Sequence, residues 1–297
     1  MTSLARALSG SRQGWLGLII LVSLLFGALM APWLSPYAPS ERVARPFQPP
    51  SRHHLLGTND IGQDILSEII WGSRASLGTG VVTALAATTV GTAVGIAAGY
   101  YGGWVDGLFM RIVDLFLVIP FLPLMILLAA YAGPSFHHLM LVMVFLMWAR
   151  PARIIRSQVL TLKSWTYVES ARAAGARAGY IMRYHILPGV LSLVVAQLVM
   201  TASLAILIEA SLSFLGLGDP VQKSWGSILF YAHSRSAFLT GAWVWWILPP
   251  GLLITLTVMG FALTGFALDT VLNPRLRATG ITYPTRKKEE KPLTPAP

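Results

Sequence analysis

The sequence predicts an all-α membrane protein of six transmembrane helices with both termini cytoplasmic, and three observations predict it. The chain is 55% hydrophobic and only 11% charged over 297 residues, far too apolar for a soluble domain of that length. Apolar runs lie near 15–34, 77–99, 110–131, 139–160, 190–215 and 243–268. Each reaches the roughly 20 residues needed to cross a hydrocarbon core about 30 Å thick, and none alternates polar with apolar as a membrane β-barrel does. Basic residues crowd one loop (Arg150, Arg153, Arg156, Lys163, Arg172, Arg177, Arg183), the amino end (Arg6, Arg12) and the tail. By the positive-inside rule these segments are cytoplasmic, and six spans give the same answer by parity. The net charge of +10 is thus accounted for by topology, and nucleic acid is not an expected partner. With no cysteine in the chain, a disulfide framework and a thiolate metal site are excluded.

Residues 1–14 form a basic cytoplasmic lead, either a surface helix with Arg6 and Arg12 at lipid headgroups or a disordered start. The first span, 15–34, has Trp15 and Trp33 as interface anchors, and Leu29-Met30 offers no small-x-small cleavage site, so it stays attached. A periplasmic segment, 35–76, opens on a proline-rich run. A five-helix core, 77–268, follows, and its first helix carries Gly91, Gly95 and Gly99. That spacing lets another helix approach closely. Arg111 and Asp114 are spaced for a helical ion pair. Pro120 and Pro123 interrupt the third span and Pro151 the fourth. A span so kinked either lines a cavity or hinges, or is bent without consequence.

His137 and His138 are adjacent in an outer loop, a spacing poorly suited to chelation from a helix. In the fifth span Glu209 is a carboxylate inside a membrane segment. That marks it as a candidate pathway residue, together with Pro120 and Pro123; a packing role between subunits is the alternative. The outer loop from Gly216 through Trp225-Gly226, with Trp243, Trp245 and Trp246, is a candidate docking surface for an external partner. The cytoplasmic tail, 269–297, ends in a Pro-, Lys- and Glu-rich stretch expected to be disordered.

Between the fourth and fifth spans a loop at 161–188 is polar and basic, and its Thr166–Pro188 stretch forms an island between apolar runs. Thr166-x-x-Glu169 has the capping-box pattern, so a short helix should begin there. Gly175 offers a left-handed stop, and Ala176–Tyr184 can form a second short helix before Pro188.

Glu169-Ser170-Ala171, then Gly175, then Ile186-Leu187-Pro188 resembles the "EAA" loop of permease subunits of binding-protein-dependent ABC importers. Ser170 replaces the usual Ala, and His185 stands where many members carry Ile; the run H-I-L-P is similar to the peptide and nickel branch. A second stretch, His54 to Leu77, resembles that branch's H-x-L-G-T-D-x-x-G-R-D-x-x-S-R-x-x-x-G-x-R-x-S-L signature. It departs at Asn59, Gln63 and Glu68. Within it Gly57 and Gly62 are expected to serve tight turns, and Asp64 and Arg74 to pair locally.

The resemblance implies the type I ABC importer permease fold in a bacterial inner membrane. It also implies that Glu169, Ser170, Ala171, Gly175, Ile186, Leu187 and Pro188 couple to an ATPase subunit. The implied partners are a second homologous permease subunit, one or two ATPase subunits holding ATP and Mg, and an extracytoplasmic solute-binding protein. The chain itself has no G-x-x-x-x-G-K-[ST] phosphate loop, so no cofactor is expected on it and it is not expected to be an enzyme. The implied cargo is di- or oligopeptide, with nickel or a metal chelate as the alternative. The reading from another class is a stand-alone secondary transporter using Glu209. It predicts inverted repeats or a span rich in polar residues, and neither is present.

Overall fold

The computed structural model describes residues 12–272, with side chains through Leu268. The expectations for residues 1–11 and for the tail beyond Leu272 lie outside the described residues. The first span is α1, Arg12–Leu29, followed by a one-turn helix α2, Ala31–Leu34. It packs on the last span through glycine: a β-carbon on Gly17 would lie 2.7 Å from the Gly260 carbonyl oxygen.

Residues 35–64 wrap the start of α3, Ile65–Tyr101, whose 37 residues make it the longest uninterrupted α-helix among the described residues. At 1.5 Å per residue it is about 55 Å long, so it exceeds the bilayer core and begins well before the run at 77–99. Asp64 caps it, accepting from the Ser67 amide at 2.9 Å and the Ser67 hydroxyl at 2.7 Å. The other Asp64 oxygen meets His54 Nδ1 at 3.0 Å. Asp64 therefore does not pair with Arg74, which lies over the Trp71 ring; the helix N-terminus competes for the carboxylate and wins by adjacency. Gly57 and Gly62 take φ of +69° and +83° and serve the expected turns.

Gly91, Gly95 and Gly99 face α7, Ala149–Lys163. β-Carbons there would sit 2.6 Å from Trp148 O, 2.7 Å from Ala152 O and 2.8 Å from Val159 Cβ, so the two backbones touch, as the spacing predicts. The expected third span is two helices, α4 Gly103–Val118 and α5 Phe121–Ala132, bent by 89°; among the described residues five helices are long and apolar enough to cross a membrane singly, and this pair makes a sixth if it is one span. Pro120 causes the bend by forcing Ile119 out of the helical region to ψ 135°. Pro123, in the first turn of α5, removes an amide that had no intrahelical partner and adds no second break. The fourth span, α6 Phe136–Met147 followed by α7, passes Pro151 in the same manner and runs 28 residues.

The expected Arg111–Asp114 pair does not form: Asp114 pairs with Arg153 of α7, and Asp106 of α4 takes Arg156 in a bidentate bridge. Tertiary packing brings a guanidinium of α7 to each carboxylate: the Asp106–Arg156 bridge is bidentate and partly buried, whereas Asp114–Arg153 is a half-exposed single contact.

The chain then makes two short helices, α8 Thr166–Ala173 and α9 Ala178–Ile181, before the fifth span, α10 Leu187–Leu212. A five-residue π-turn, Ser213–Leu217, ends α10, and α11 Trp225–Ser234, α12 Trp243–Trp246 and α13 Leu248–Leu272 complete the described chain.

Candidate functional site

The knob between α7 and α10 is built on apolar side chains. Val168 of α8, Ile181 of α9, Ile186 and Val190 are fully buried against Ile155, Val159 and Leu162 of α7 and against Ile96 and Tyr100 of α3. Burying Val168 sets the rotation of α8 and therefore its start. The N-cap is Trp165, with extended ψ of 142° and no side-chain cap. Thr166 is already helical, so the expected Thr166–Glu169 capping box is absent; the Trp165 carbonyl instead takes the amides of Val168 and Glu169 at 2.9 and 3.1 Å. Glu169 is exposed in the first turn, where its charge complements the helix dipole.

Helix α8 stops as expected. Gly175 has φ of +80°, its amide donates to Arg172 O at 3.0 Å, and the Ala176 amide donates to Ala171 O at 3.1 Å. This is a full Schellman motif. The second half departs from expectation: α9 does not end before Pro188 but runs through a π-turn, Met182–Ile186, directly into α10. The wider turn takes up the ladder position that the proline ring leaves without a donor. The knob is thus one exposed helix hinged at Gly175 to a continuous membrane helix.

Of the sequence-predicted coupling residues, Glu169, Ser170, Gly175 and Pro188 are exposed, Ala171 and Leu187 are half-buried, and Ile186 is in the core. Sequence reasoning missed an aromatic border to this face: Tyr180 packs against Tyr184 with ring centroids 4.8 Å apart and tilted by 36°, and His185 lies between Tyr167 and Tyr180. Arg172, Arg177 and Arg183 are exposed around it. The face is basic and aromatic, with one acid.

At the far end of α10, Glu209 is 3% exposed. It accepts from Ser213 at 2.7 Å and from Ser76 of α3 at 3.3 Å, while the Ser76 oxygen accepts the Trp225 amide of α11 at 3.0 Å. The adjoining cavity is about 10 Å³ and is lined by Phe136, Leu139, Asp219 and Ser224 among others, space for about one water. Glu209 therefore ties three helices together in this conformation. Pro120 and Pro123 do not line that cavity. Beside it, burial pushes the Asp219 carboxyl up, but the amides of Phe136, Val221 and Gln222 together with His137 hold it below the usual carboxylate range.

A second missed cluster joins the three positions that depart from the branch signature. Asn59 Nδ2 donates to Gln63 at 3.0 Å and to Glu68 at 2.9 Å. Lys223, from the loop before α11, donates to Gln63 at 2.7 Å and pairs with Glu68. Three departures falling at spacings of four and five residues were the available signal, and Lys223 was not.

A family of binding-protein-dependent transport system inner membrane components matches residues 91–278, and the N-terminal transmembrane domain of oligopeptide transport permease C matches residues 3–50. The chain belongs to the binding-protein-dependent inner membrane permeases. It is similar to a putative peptide transport system permease protein of Brucella suis, 36% identical over 93% of this chain and 92% of that protein. It is also similar to dipeptide transport system permease proteins of Bacillus subtilis (34%, over 92% and 85%) and Escherichia coli (38%, over 88% of each). The permease match spans the glycine face of α3, the knob and Glu209. The spans and this membership place the protein in the inner membrane.

Proposed function

We propose that this permease imports di- or oligopeptides, paired with a second homologous permease subunit, fed by an extracytoplasmic solute-binding protein, and driven by one or two ATPase subunits that carry ATP and Mg. The similarity to dipeptide permeases of two organisms supports the cargo. The single observation that carries the mechanism is the knob: a short exposed helix on a rigid apolar base, joined by a Schellman turn to an unbroken membrane helix. In this reading the termini and the knob are cytoplasmic, residues 35–64 are periplasmic, and the chain contributes movement rather than catalysis.

Glu169, Ser170, Ala171 and Gly175 form the docking face, and Ile186, Leu187 and Pro188 carry its displacement into α10. When the ATPases close, α8 moves with them; the buried cluster moves with α8 because close-packed side chains do not slide freely. The bend at Pro120 gives α4 and α5 separate freedom as access to the cavity alternates.

The test is to purify the tagged chain from its own membranes, identify what accompanies it, and reconstitute the complex. Recovery of a second permease and ATPases, with dipeptide uptake that needs ATP and binding protein, is expected. A chain that purifies alone and moves solute in ATP-free liposomes would overturn the proposal.

A further inference from the structure

Three arginines stand at 150, 153 and 156 on α7, and two are neutralised by aspartates of α4: Arg153 by Asp114 and Arg156 by Asp106. Arg150 is exposed on the single chain and has no carboxylate partner among the described residues. It is the fifteenth residue of a 28-residue span, about 20 Å along the helix from either end. It faces a groove of about 300 Å³ between α7, α10 and α13 that also includes Gln197, Met200, Thr201, Leu204 and Phe261. Gln197 and Thr201 are more than nine-tenths buried, and their side chains have no hydrogen-bond partner among the described residues.

Arg150 begins the basic half of this span, directly after the apolar helix Phe136–Met147, where a guanidinium favours water or a solute acceptor over lipid. Neither Gln197 nor Thr201 is among the side chains whose polar atoms are sealed off without a partner, so with Arg150 they present polar groups to the groove. Three of them converging on one groove, at the lower end of the ~300–1,000 Å³ range of small-molecule sites, describe a site for an acceptor-rich solute. We propose that the groove is a wall of the translocation path and that Arg150 is a way-station for the carboxylate of the passing solute, held by charge-assisted hydrogen bonds with Gln197 and Thr201 beside it. The inference rests on the importer reading above, and it moves the pathway away from Glu209.

The chain has no cysteine, so Met200→Cys creates a single reporter in the groove. In the assembled complex this thiol should react with both an anionic and a cationic methanethiosulfonate of similar size, the anionic about tenfold faster. Arg150→Gln should abolish the preference and Arg150→Lys should keep it. Saturating Ala-Ala should slow labelling at least threefold more than its C-terminal amide. No reaction with either reagent would mean that lipid or the second permease covers this face, and would overturn the proposal. A preference insensitive to Arg150→Gln, or equal or absent protection by the two dipeptides, would overturn it as well. ATP-dependent uptake of Ala-Ala by the unsubstituted complex tests the importer reading separately. Lost uptake with intact labelling indicts the peptide assignment, and intact uptake without labelling indicts the groove.

Discussion

The knob and the region around residues 35–76 and 218–234 sit at opposite ends of the same two helices, α3 and α10, and are held by different forces. The knob rests on an apolar cluster and turns its polar groups outward: Glu169, Arg172, Arg177 and Arg183 have no ion-pair partner among the described residues. At the opposite end, carboxylates are satisfied internally. Glu68 with Lys223, Asp64 with His54, Asp60 with Arg235, and Glu209 with two serines bind the long loop, α3, α10 and α11 to one another. An apolar base permits a face to move as a body and leaves its charges for a partner. A buried hydrogen-bonded network fixes one arrangement and tolerates little change.

The largest effect is expected at Gly175. Gly175→Pro removes the amide that closes the Schellman turn and demands φ near −65° where the backbone has +80°. Dipeptide uptake and binding-protein-stimulated ATP hydrolysis should fall more than tenfold while the protein still inserts, and unchanged ATPase stimulation would remove the coupling role. Gly175→Ala, with no atom near the added carbon, should cost only about 1–2 kcal/mol from its left-handed conformation.

At the opposite end Lys223→Met strands the Glu68 carboxylate, whose side chain is 1% exposed. A loss of about 3 kcal/mol in unfolding free energy is expected, with most of it recovered in Lys223→Met/Glu68→Gln. A single variant as stable as the parent would show that the pair is not structural. Glu209→Gln keeps one acceptor oxygen for Ser213 and turns an amide donor toward Ser76, whose hydroxyl oxygen can accept it, so about 1 kcal/mol and less than a threefold loss of uptake are expected. A tenfold loss of uptake at parental stability would restore Glu209 to the pathway.

The smallest effect is on pH. The Asp219 carboxyl is held below its ordinary value of 3.8, so its contribution is fully present above that value and is lost as pH falls through the depressed one. Asp219→Asn should lower the melting temperature slightly at neutral pH, where the carboxylate's contribution is fully present, and flatten the acid limb of the melting profile below about pH 4; an unchanged acid limb would show that the carboxylate contributes nothing.

Several features were legible because they are local. The Gly91–Gly95–Gly99 spacing, the turn at Gly175 and the interruption at Pro120 each depend on chain stiffness or side-chain volume within a few residues, and each stands where the pattern put it. The family could be read for the same reason, since its motifs are contiguous. Partner choice among charged groups was not legible. Asp64 could reach Arg74 and Asp114 could reach Arg111 along the chain, yet the helix terminus with His54 took the first and Arg153 of another span took the second.

The Thr166–Glu169 capping box failed because the burial of Val168 and Ile181 set where α8 begins. By itself the sequence determined which segments are apolar enough to cross a membrane, where the chain must turn and which family's motifs it carries, because those follow from transfer free energies and backbone sterics acting over short range. Only the tertiary structure decided which carboxylate meets which cation, that Glu209 is a knot, and that Arg150 is left facing a groove. Those outcomes depend on distances between segments tens of residues apart, and electrostatic preference cannot be ranked until packing has set them.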